Sequence, residues 1–466
     1  MPQGIVAYAA YLPAHRLALA DVAATLGAGR GKGTRVVASF DEDSTTMAVE
    51  AGRAALRRTA VRATSLWFAT TSPAYAEKTN ASAIHAALGL GSEGFAVDLA
   101  GSARSAQGAL RAAATQPGGL ALLADVRVGT PGSAEERENA DGAAAFLFGP
   151  EDEAIAVEIA TASVTGEFLD RWRAPGEHSA KVWEERFGQE MYTPLIAAAT
   201  SQALAAANLT SVDHVVVSCP HSRTAAATRA AHENSGADLT LGQAGAADLG
   251  LRLADALDRA GPGQTILVIS AADGADATVW RVTDRIPAAR AAGRVPPVRE
   301  QLAGGREVGY GTYLTWRGLL EREGPRRPDP ERPAGPPSAR ALGWKFAFVG
   351  SRCDKCGFLH LPPARVCVSC RVADQMTPAG LADATGTVVT FTVDRLAYSP
   401  SPPVIDAVVD FDGGGRTLLE LADAKPEDIA VGSRVALTFR RLYTSGGVHN
   451  YFWKARILKE VLSHGE

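Results

Sequence analysis

At 466 residues, with 46% hydrophobic side chains and a net charge of -4, the chain can bury several cores and should divide into two to four domains. The slight negative balance argues against nucleic acid as the main partner, because neutralising phosphates takes a clustered basic surface. No apolar run approaches a membrane span, so the composition excludes a membrane protein and implies a soluble, cytoplasmic one.

The opening "MPQGIVAYAAYLP" lacks the charged start of a signal peptide and reads as a first strand. A helix rich in small apolar residues, "MAVEAGRAALRRTA" (47–60), then leads into a short strand, "LWFATTS" (66–72). The stretch "AVDLAGSARSAQGALRAA" (96–113) reads as a strand turning a tight corner into a helix. Val97 and Leu99 alternate, and beyond Ser102 the alanines recur at helical spacing. Such a corner sets helical amides beside its tip and suits a nucleophile. The tip here is Gly101-Ser102-Ala103-Arg104-Ser105, without a cysteine.

The pattern then repeats. "PLIAAATSQALAAAN" (194–208) leads into "HVVVSCPHS" (214–222), as 47–60 leads into 66–72. The pair "GLALLADVRVG" and "DGAAAFLFG" (141–149) is echoed by "QTILVISAADGADATVWRV" (264–282). Helices alternating with buried strands imply α/β layers, and the repeat implies two similar halves packed together, 1–160 and 161–323. Near the end of the second half, "GYGTYLTWRGLLERE" reads as a helix whose Tyr310, Tyr313 and Trp316 form one aromatic stripe for packing or for a partner.

Residues 324–340, "GPRRPDPERPAGPPSAR", hold six prolines and read as an extended linker. Beyond it, "CDKCGFLHLPPARVCVSC" (353–370) carries two CxxC knuckles. Their spacing suits one structural zinc bound by Cys353, Cys356, Cys367 and Cys370, with His360 as a spare. All four positions of a tetrahedron are then filled, which leaves no open site for catalysis. Strand-like runs follow, from "GTVVTFTVDRLAY" to "YFWKARIL", separated by Gly- and Asp-rich turns, and imply a small all-β barrel of about five strands. The expected divisions are a zinc ribbon at 341–376 and a barrel at 377–466.

These stretches together resemble a known family. "FDEDSTTMAVEAGRAAL" (40–56), "ATTSPAYAEKTNASAIHAALGL" (69–90), "CPHS" (219–222) and "LGQAGAADLGLRLADAL" (241–257) resemble the thiolase superfamily. The likeness is to the archaeal-type 3-hydroxy-3-methylglutaryl-CoA synthases and ketoacyl synthase III enzymes in particular. Residues 341–460 resemble the DUF35 module, a zinc ribbon followed by an OB-fold. The expected architecture is therefore α/β, a duplicated thiolase-type layered fold followed by a zinc ribbon and a small OB barrel. The resemblance implies acyl-CoA or acyl-carrier substrates, with coenzyme A entering as a thioester, and a homodimer. A second thiolase-like subunit is a further expected partner.

Carried over residue by residue, the family nucleophile falls on Ala103, with Ser102 offered if the alignment slides by one. The acid–base glutamate falls on Thr71. The histidine matches His221, and the asparagine that polarises a thioester carbonyl matches Gln243. A covalent acyl-enzyme needs a thiolate or an activated hydroxyl, which alanine does not supply. Enolate chemistry needs only donors aimed at the thioester oxygen and an acid–base group. That combination implies an aldolase or retro-aldolase, and steroid side-chain aldolases built from thiolase-like and DUF35 subunits resemble it. The alternatives are an acyltransferase with Ser102 or Cys219 as nucleophile, and a non-catalytic partner subunit. Tyr75, Glu77, His178 and Tyr192 stand in segments that the family places near the pocket, although residues of these types are more often ordinary packing or loop residues. Cys219 precedes His221 by two residues; it is either a thiol activated by that histidine or a buried structural cysteine.

Overall fold

The computed structural model describes residues 3–27, 31–232, 234, 239–293, 295–323, 330–397 and 399–458. The chain divides into two units, one made of Met1–Ala38, Asp43–His85 and Leu90–Tyr313, the other of Ser39–Glu42, Ala86–Gly89 and Leu314–Glu466.

The first unit is built on a nine-stranded sheet. Its strands in chain order are β1 (Gly4–Tyr11), β2 (Ser65–Thr70), β3 (Phe95–Ala100), β4 (Gly119–Asp125), β5 (Gly142–Gly149), β6 (Ala156–Thr165), β7 (His214–Ser218), β8 (Thr265–Ala271) and β9 (Gly274–Val282). They lie in the order β7-β8-β9-β6-β1-β5-β4-β2-β3. The expected duplication is visible in the ladders. β2 runs parallel to β4, β4 antiparallel to β5 and β5 antiparallel to β1. In the second half β7 runs parallel to β8, β8 antiparallel to β9 and β9 antiparallel to β6. β3, parallel to β2, has no counterpart in the second half among the described residues. β6 runs across position 160, where the halves were expected to meet, and its ladder with β9 assigns it to the second copy.

Several strands are buried along their whole length, such as "GLALLAD" in β4 and "TILVISA" in β8. Both faces must therefore be covered, which is why these segments read as continuous apolar runs. The coverings include α1 (Ser44–Leu56), α2 (Ser105–Ala113), α3 (Glu185–Ala207), α4 (Ser222–Ala230) and α5 (Ala246–Arg259). α1 begins three residues before the expected helix because Asp43 caps it. Thr46 N–H donates to Asp43 Oδ1 at 2.9 Å, and Asp43 N–H donates back to Thr46 Oγ1 at 2.9 Å. α3 begins well before Pro194, which stands inside the helix rather than at its start. The nine residues ahead of the proline carry the first two turns onto the candidate site.

The aromatic helix ends early, at Tyr310–Trp316, where Gly318 adopts φ +69. Two members of its stripe have settled partners. Tyr310 donates its hydroxyl to Glu136, and Arg35 donates to the Tyr313 hydroxyl at 3.0 Å.

In the second unit, residues 324–329 of the proline-rich stretch lie outside the described residues. The expectation of extended backbone fails at Gly335–Arg340, which is helical. Its prolines fall in the first turn, where the missing N–H groups have no intrahelical partner to lose. The ribbon strands β10 (Val349–Cys353), β11 (Leu359–His360) and β12 (Met376–Gly380) form one small sheet. Five more strands follow: β13 (Thr385–Asp394), β14 (Val404–Phe411), β15 (Arg416–Glu420), β16 (Arg434–Ser445) and β17 (Val448–Ile457). They pair in the order β15-β14-β13-β16-β17, and a bridge from Leu421 to Ala455 returns the β15 end to β17. The expected five-stranded barrel is present. Among the described residues no helix is long and apolar enough to cross a membrane.

Buried charge holds the second unit together. Lys454, 2% exposed, reaches Asp41 at 3.0 Å and Glu420 at 2.8 Å. Arg440, fully buried, reaches Glu42 at 2.5 Å and Asp423 at 2.7 Å. Burial alone would raise the Asp41 carboxyl, but the Lys454 ammonium and the Arg440 guanidinium outweigh it and hold it below the usual range. Burial likewise opposes the Lys454 charge, and Asp41 and Glu420 outweigh that and raise its pKa.

Candidate functional site

In the first unit the candidate residues follow the carboxyl ends of parallel strands, where open α/β sheets present ligand sites. Thr71 follows β2, Ser102 and Ala103 follow β3, and Cys219 and His221 follow β7.

Thr71 belongs to a polar cluster centred on Asp125, the last residue of β4. Six donors converge on that buried carboxylate at 2.6–3.0 Å: Thr70 Oγ1, Thr71 N and Oγ1, Ser72 N and Oγ, and Ala246 N at the start of α5. Gly245 admits it. A Cβ there would stand 1.9 Å from Asp125 Oδ2, and the residue adopts φ +59. Asp125 is thus saturated. Arg127 donates to Thr71 Oγ1 at 2.9 Å and meets Glu135 at 3.4 Å, while Arg173 donates to the Thr71 carbonyl.

Gln243 joins the same cluster through its backbone, which pairs with Glu138, Asn139 and Ala140. Its side chain has one fixed end and one open end. Gly245 N–H donates to Oε1 at 2.6 Å, so the amide nitrogen is the other end. That Nε2 is buried and has no acceptor among the described residues.

Glu135 carries the connection onward. Asn139 donates to it at 3.1 Å, and Arg171 forms a close ion pair with it. Burial would raise the Glu135 carboxyl, but Arg171 and Arg127 outweigh it and hold it low. Arg171 also donates to the Pro220 carbonyl at 3.3 Å, one residue before His221.

His221 departs from expectation. It is the N-cap of α4, and its Nδ1 accepts from Thr224 N–H at 3.1 Å and lies 2.8 Å from Thr224 Oγ1. The ring is therefore the Nε2–H tautomer, and Nε2 donates to the Glu185 carbonyl at 2.8 Å. Both nitrogens are committed inside the fold, and the residue is 5% exposed. Tyr192 is also buried, with its ring centroid 6.2 Å from the imidazole, and burial pushes its phenol up.

Of the two readings of Cys219, the geometry favours the buried structural cysteine: it lies inside the fold, and burial pushes the thiol up to about 12, so the reactive thiolate is disfavoured. At the β3 corner, Gly101 adopts φ +120, and Ser105 and Ala106 amides bond back to the Ser102 and Ala103 carbonyls at 3.1 and 3.2 Å. Among the described residues no base hydrogen-bonds Ser102. Arg104 leads away from the tip to Asp276 at 2.8 Å and to the Asp273 carbonyl at 3.0 Å. Glu77 and His178 are exposed, and Tyr75 is half-buried with its amide bonded to Asn80.

One residue escaped the sequence reading. Asp170 is 1% exposed, and among the described residues its Oδ1 has no hydrogen-bond partner. Burial raises its carboxyl, against the lowering pull of His221 and Arg171. Gly188 lies directly over the pair. A Cβ there would be 2.5 Å from Asp170 Oδ1 and 2.6 Å from His221 Cδ2. A lone aspartate in a loop offers no spacing signal, so nothing in the sequence marks it.

In the second unit, the Sγ atoms of Cys353, Cys356, Cys367 and Cys370 lie within 4.8 Å of one another, with two pairs at 3.6 and 3.5 Å. Thiolates around a tetrahedral zinc with bonds of about 2.3 Å stand about 3.8 Å apart, so the four fit the ion. Zinc held there would brace the ribbon. His360, buried, packs on Phe358 at 4.9 Å between ring centroids.

Residues 346–375 match the rubredoxin-like zinc ribbon domain of ChsH2, and 381–440 match the ChsH2 C-terminal OB-fold domain. The hydroxymethylglutaryl-CoA synthase of Archaeoglobus fulgidus is 30% identical over 341 residues, covering 67% of this chain and 98% of that protein. A DUF35 domain-containing scaffold protein of Methanocaldococcus jannaschii is 30% identical over 122 residues, covering 25% of this chain and 86% of that protein. Among solved structures, MvaS in complex with 3-hydroxy-3-methylglutaryl coenzyme A superposes with a TM-score of 0.56 at 19% identity, covering 72% of this chain and 94% of that one. The chain belongs to the hydroxymethylglutaryl-CoA synthase family of thiolase-like proteins, here followed in one polypeptide by a ChsH2/DUF35-type zinc ribbon and OB-fold.

Proposed function

We propose that this chain is a carbon–carbon bond enzyme of aldolase or retro-aldolase type, acting on a coenzyme A or carrier-protein thioester through its enolate and without an acyl-enzyme. The observation that carries the reading is Gln243: among the described residues its Nε2 is a buried donor without an acceptor, oriented by the bond from Gly245 to Oε1. A thioester oxygen gaining negative charge is the acceptor that such a donor lacks. Ala103 at the corner and the disfavoured Cys219 thiolate support the absence of an acylated intermediate.

In the cleavage direction a base takes the proton of a β-hydroxyl group. The Cα–Cβ bond breaks as the carbonyl of the released aldehyde or ketone forms, and the electron pair passes to the thioester oxygen. Protonation at Cα then returns a shortened thioester. No oxidant or co-substrate is needed. One positioned donor contributes about 3 kcal/mol to such a step. We further propose a cytoplasmic homodimer joined along β3, one of the sheet's two edge strands, where Phe95 is 54% exposed.

Intact-protein mass spectrometry after incubation with acetyl-CoA tests the route. The unmodified mass is expected, and an acetyl adduct on Ser102 or Cys219 would replace this reading with acyl transfer.

A second reading, a non-catalytic partner of another thiolase-like chain, is favoured by the closed hydrogen bonds of His221. A partner of that kind would be inert alone and would co-purify with the second chain.

A further inference from the structure

We propose that Asp170 is the proton-transfer residue of the thioester site. The assignment rests on the enolate reading above and supplies the base that reading requires.

The other candidates are spoken for. Asp125 accepts six hydrogen bonds, and Glu135 is shared by Arg127, Arg171 and Asn139. Both nitrogens of His221 are engaged, and Thr71 offers no acid. Asp170 differs from all of these, being a buried carboxylate whose Oδ1 receives no donor among the described residues. A buried acceptor left unpaired costs stability, typically about 1–3 kcal/mol and more for a charge. A buried group left unpaired in a native fold calls for an explanation, and a carboxyl perturbed by its surroundings is a candidate for chemistry. The groups around it are Arg171 beside it, His221 at the start of α4, Tyr192 on α3, Cys219 after β7 and Asp273 after β8. Its neighbour in sequence, Arg171, pairs with Glu135, which accepts from Asn139, and the Asn139 backbone bridges that of Gln243. The first turns of α3 lay Gly188 on the carboxylate, and the proposal requires substrate to displace them.

In the step itself the Asp170 carboxylate takes a proton from the substrate, the electron pair moves to the thioester oxygen facing Gln243 Nε2, and the carboxyl group later returns the proton to Cα. With acetyl-CoA alone this is a thermoneutral exchange of the α-hydrogens.

Acetyl-CoA in D2O is therefore the probe, with α-deuteration followed by mass spectrometry and thermal unfolding measured alongside. Asn has the shape of Asp, and no donor to Oδ1 is lost. Asp170→Asn is expected to fold with equal or higher Tm and to exchange about 10^2- to 10^4-fold more slowly. Undiminished exchange in Asp170→Asn overturns the assignment and leaves the enolate reading standing. A clearly lower Tm together with lost exchange also overturns it, since the residue is then structural. No exchange in the unmodified protein removes the enolate reading and this assignment together.

Discussion

His221 Nε2 lies 2.8 Å from the Glu185 carbonyl, joining the residue before α4 to the first residue of α3. With Nδ1 accepting from Thr224, the imidazole works as a helix cap and a clasp between two helices. His221→Ala should lower stability by about 1–2 kcal/mol, the usual worth of a good N-cap, with Asn recovering most of it. Urea denaturation of the two variants measures this; an unchanged midpoint for Ala would show that the clasp carries no load.

Gly188 permits the close approach of α3 to Asp170 and His221. Gly188→Ala puts a methyl group about where the carboxylate oxygen and the ring edge already stand. Overpacking of this sort costs about 1–3 kcal/mol. A Tm equal to that of the parent protein would mean that the helix can slide away at no expense.

The charge cluster of the second unit predicts a pH window. Asp41 has its pKa lowered on folding, so its contribution is present above the unfolded carboxylate value of about 4 and fades as pH falls below it. Lys454 has its pKa raised, so its contribution is present below the unfolded value of about 10.4 and fades as pH rises above it. Stability of this unit should therefore be flat between these limits and fall on both sides. Lys454→Met, which leaves Asp41 short of a cation, should cost about 3–5 kcal/mol near neutral pH. Denaturation curves across pH, followed by the fluorescence of Trp453, give both results.

Elemental analysis should find one zinc per chain. Cys353→Ser or treatment with a strong chelator should release it and unfold the ribbon, because a structural zinc site is bound with folding energy. Retention of the ribbon's protease resistance after complete metal removal would contradict this.

Much of the architecture can be read without coordinates because it is written in local chemistry. The zinc knuckles need only the spacing of Cys353, Cys356, Cys367 and Cys370, and their sulfurs do converge. The duplication shows in the order of elements, and the ladders of β2-β4-β5-β1 and β7-β8-β9-β6 repeat it. Helix ends were less legible. Asp43 moved the start of α1 and Gly318 cut the aromatic helix short, because capping depends on which neighbouring side chain can fold back onto the backbone.

The candidate site divides in the same way. That residues 71, 103, 219 and 221 stand just beyond the ends of parallel strands follows from strand and helix order. What each side chain does there depends on direction and neighbours, which spacing does not encode. Residue type and periodicity determined this protein's layers, its repeat and its metal knuckles, since these arise from contacts near in sequence. Only the tertiary structure decided that His221 is turned toward backbone, that Gln243 keeps a donor free and that Asp170 stands unpaired. The first and third depend on α3 reaching across from a distant part of the chain, and the second on the turn by which Gly245 N–H reaches Gln243 Oε1.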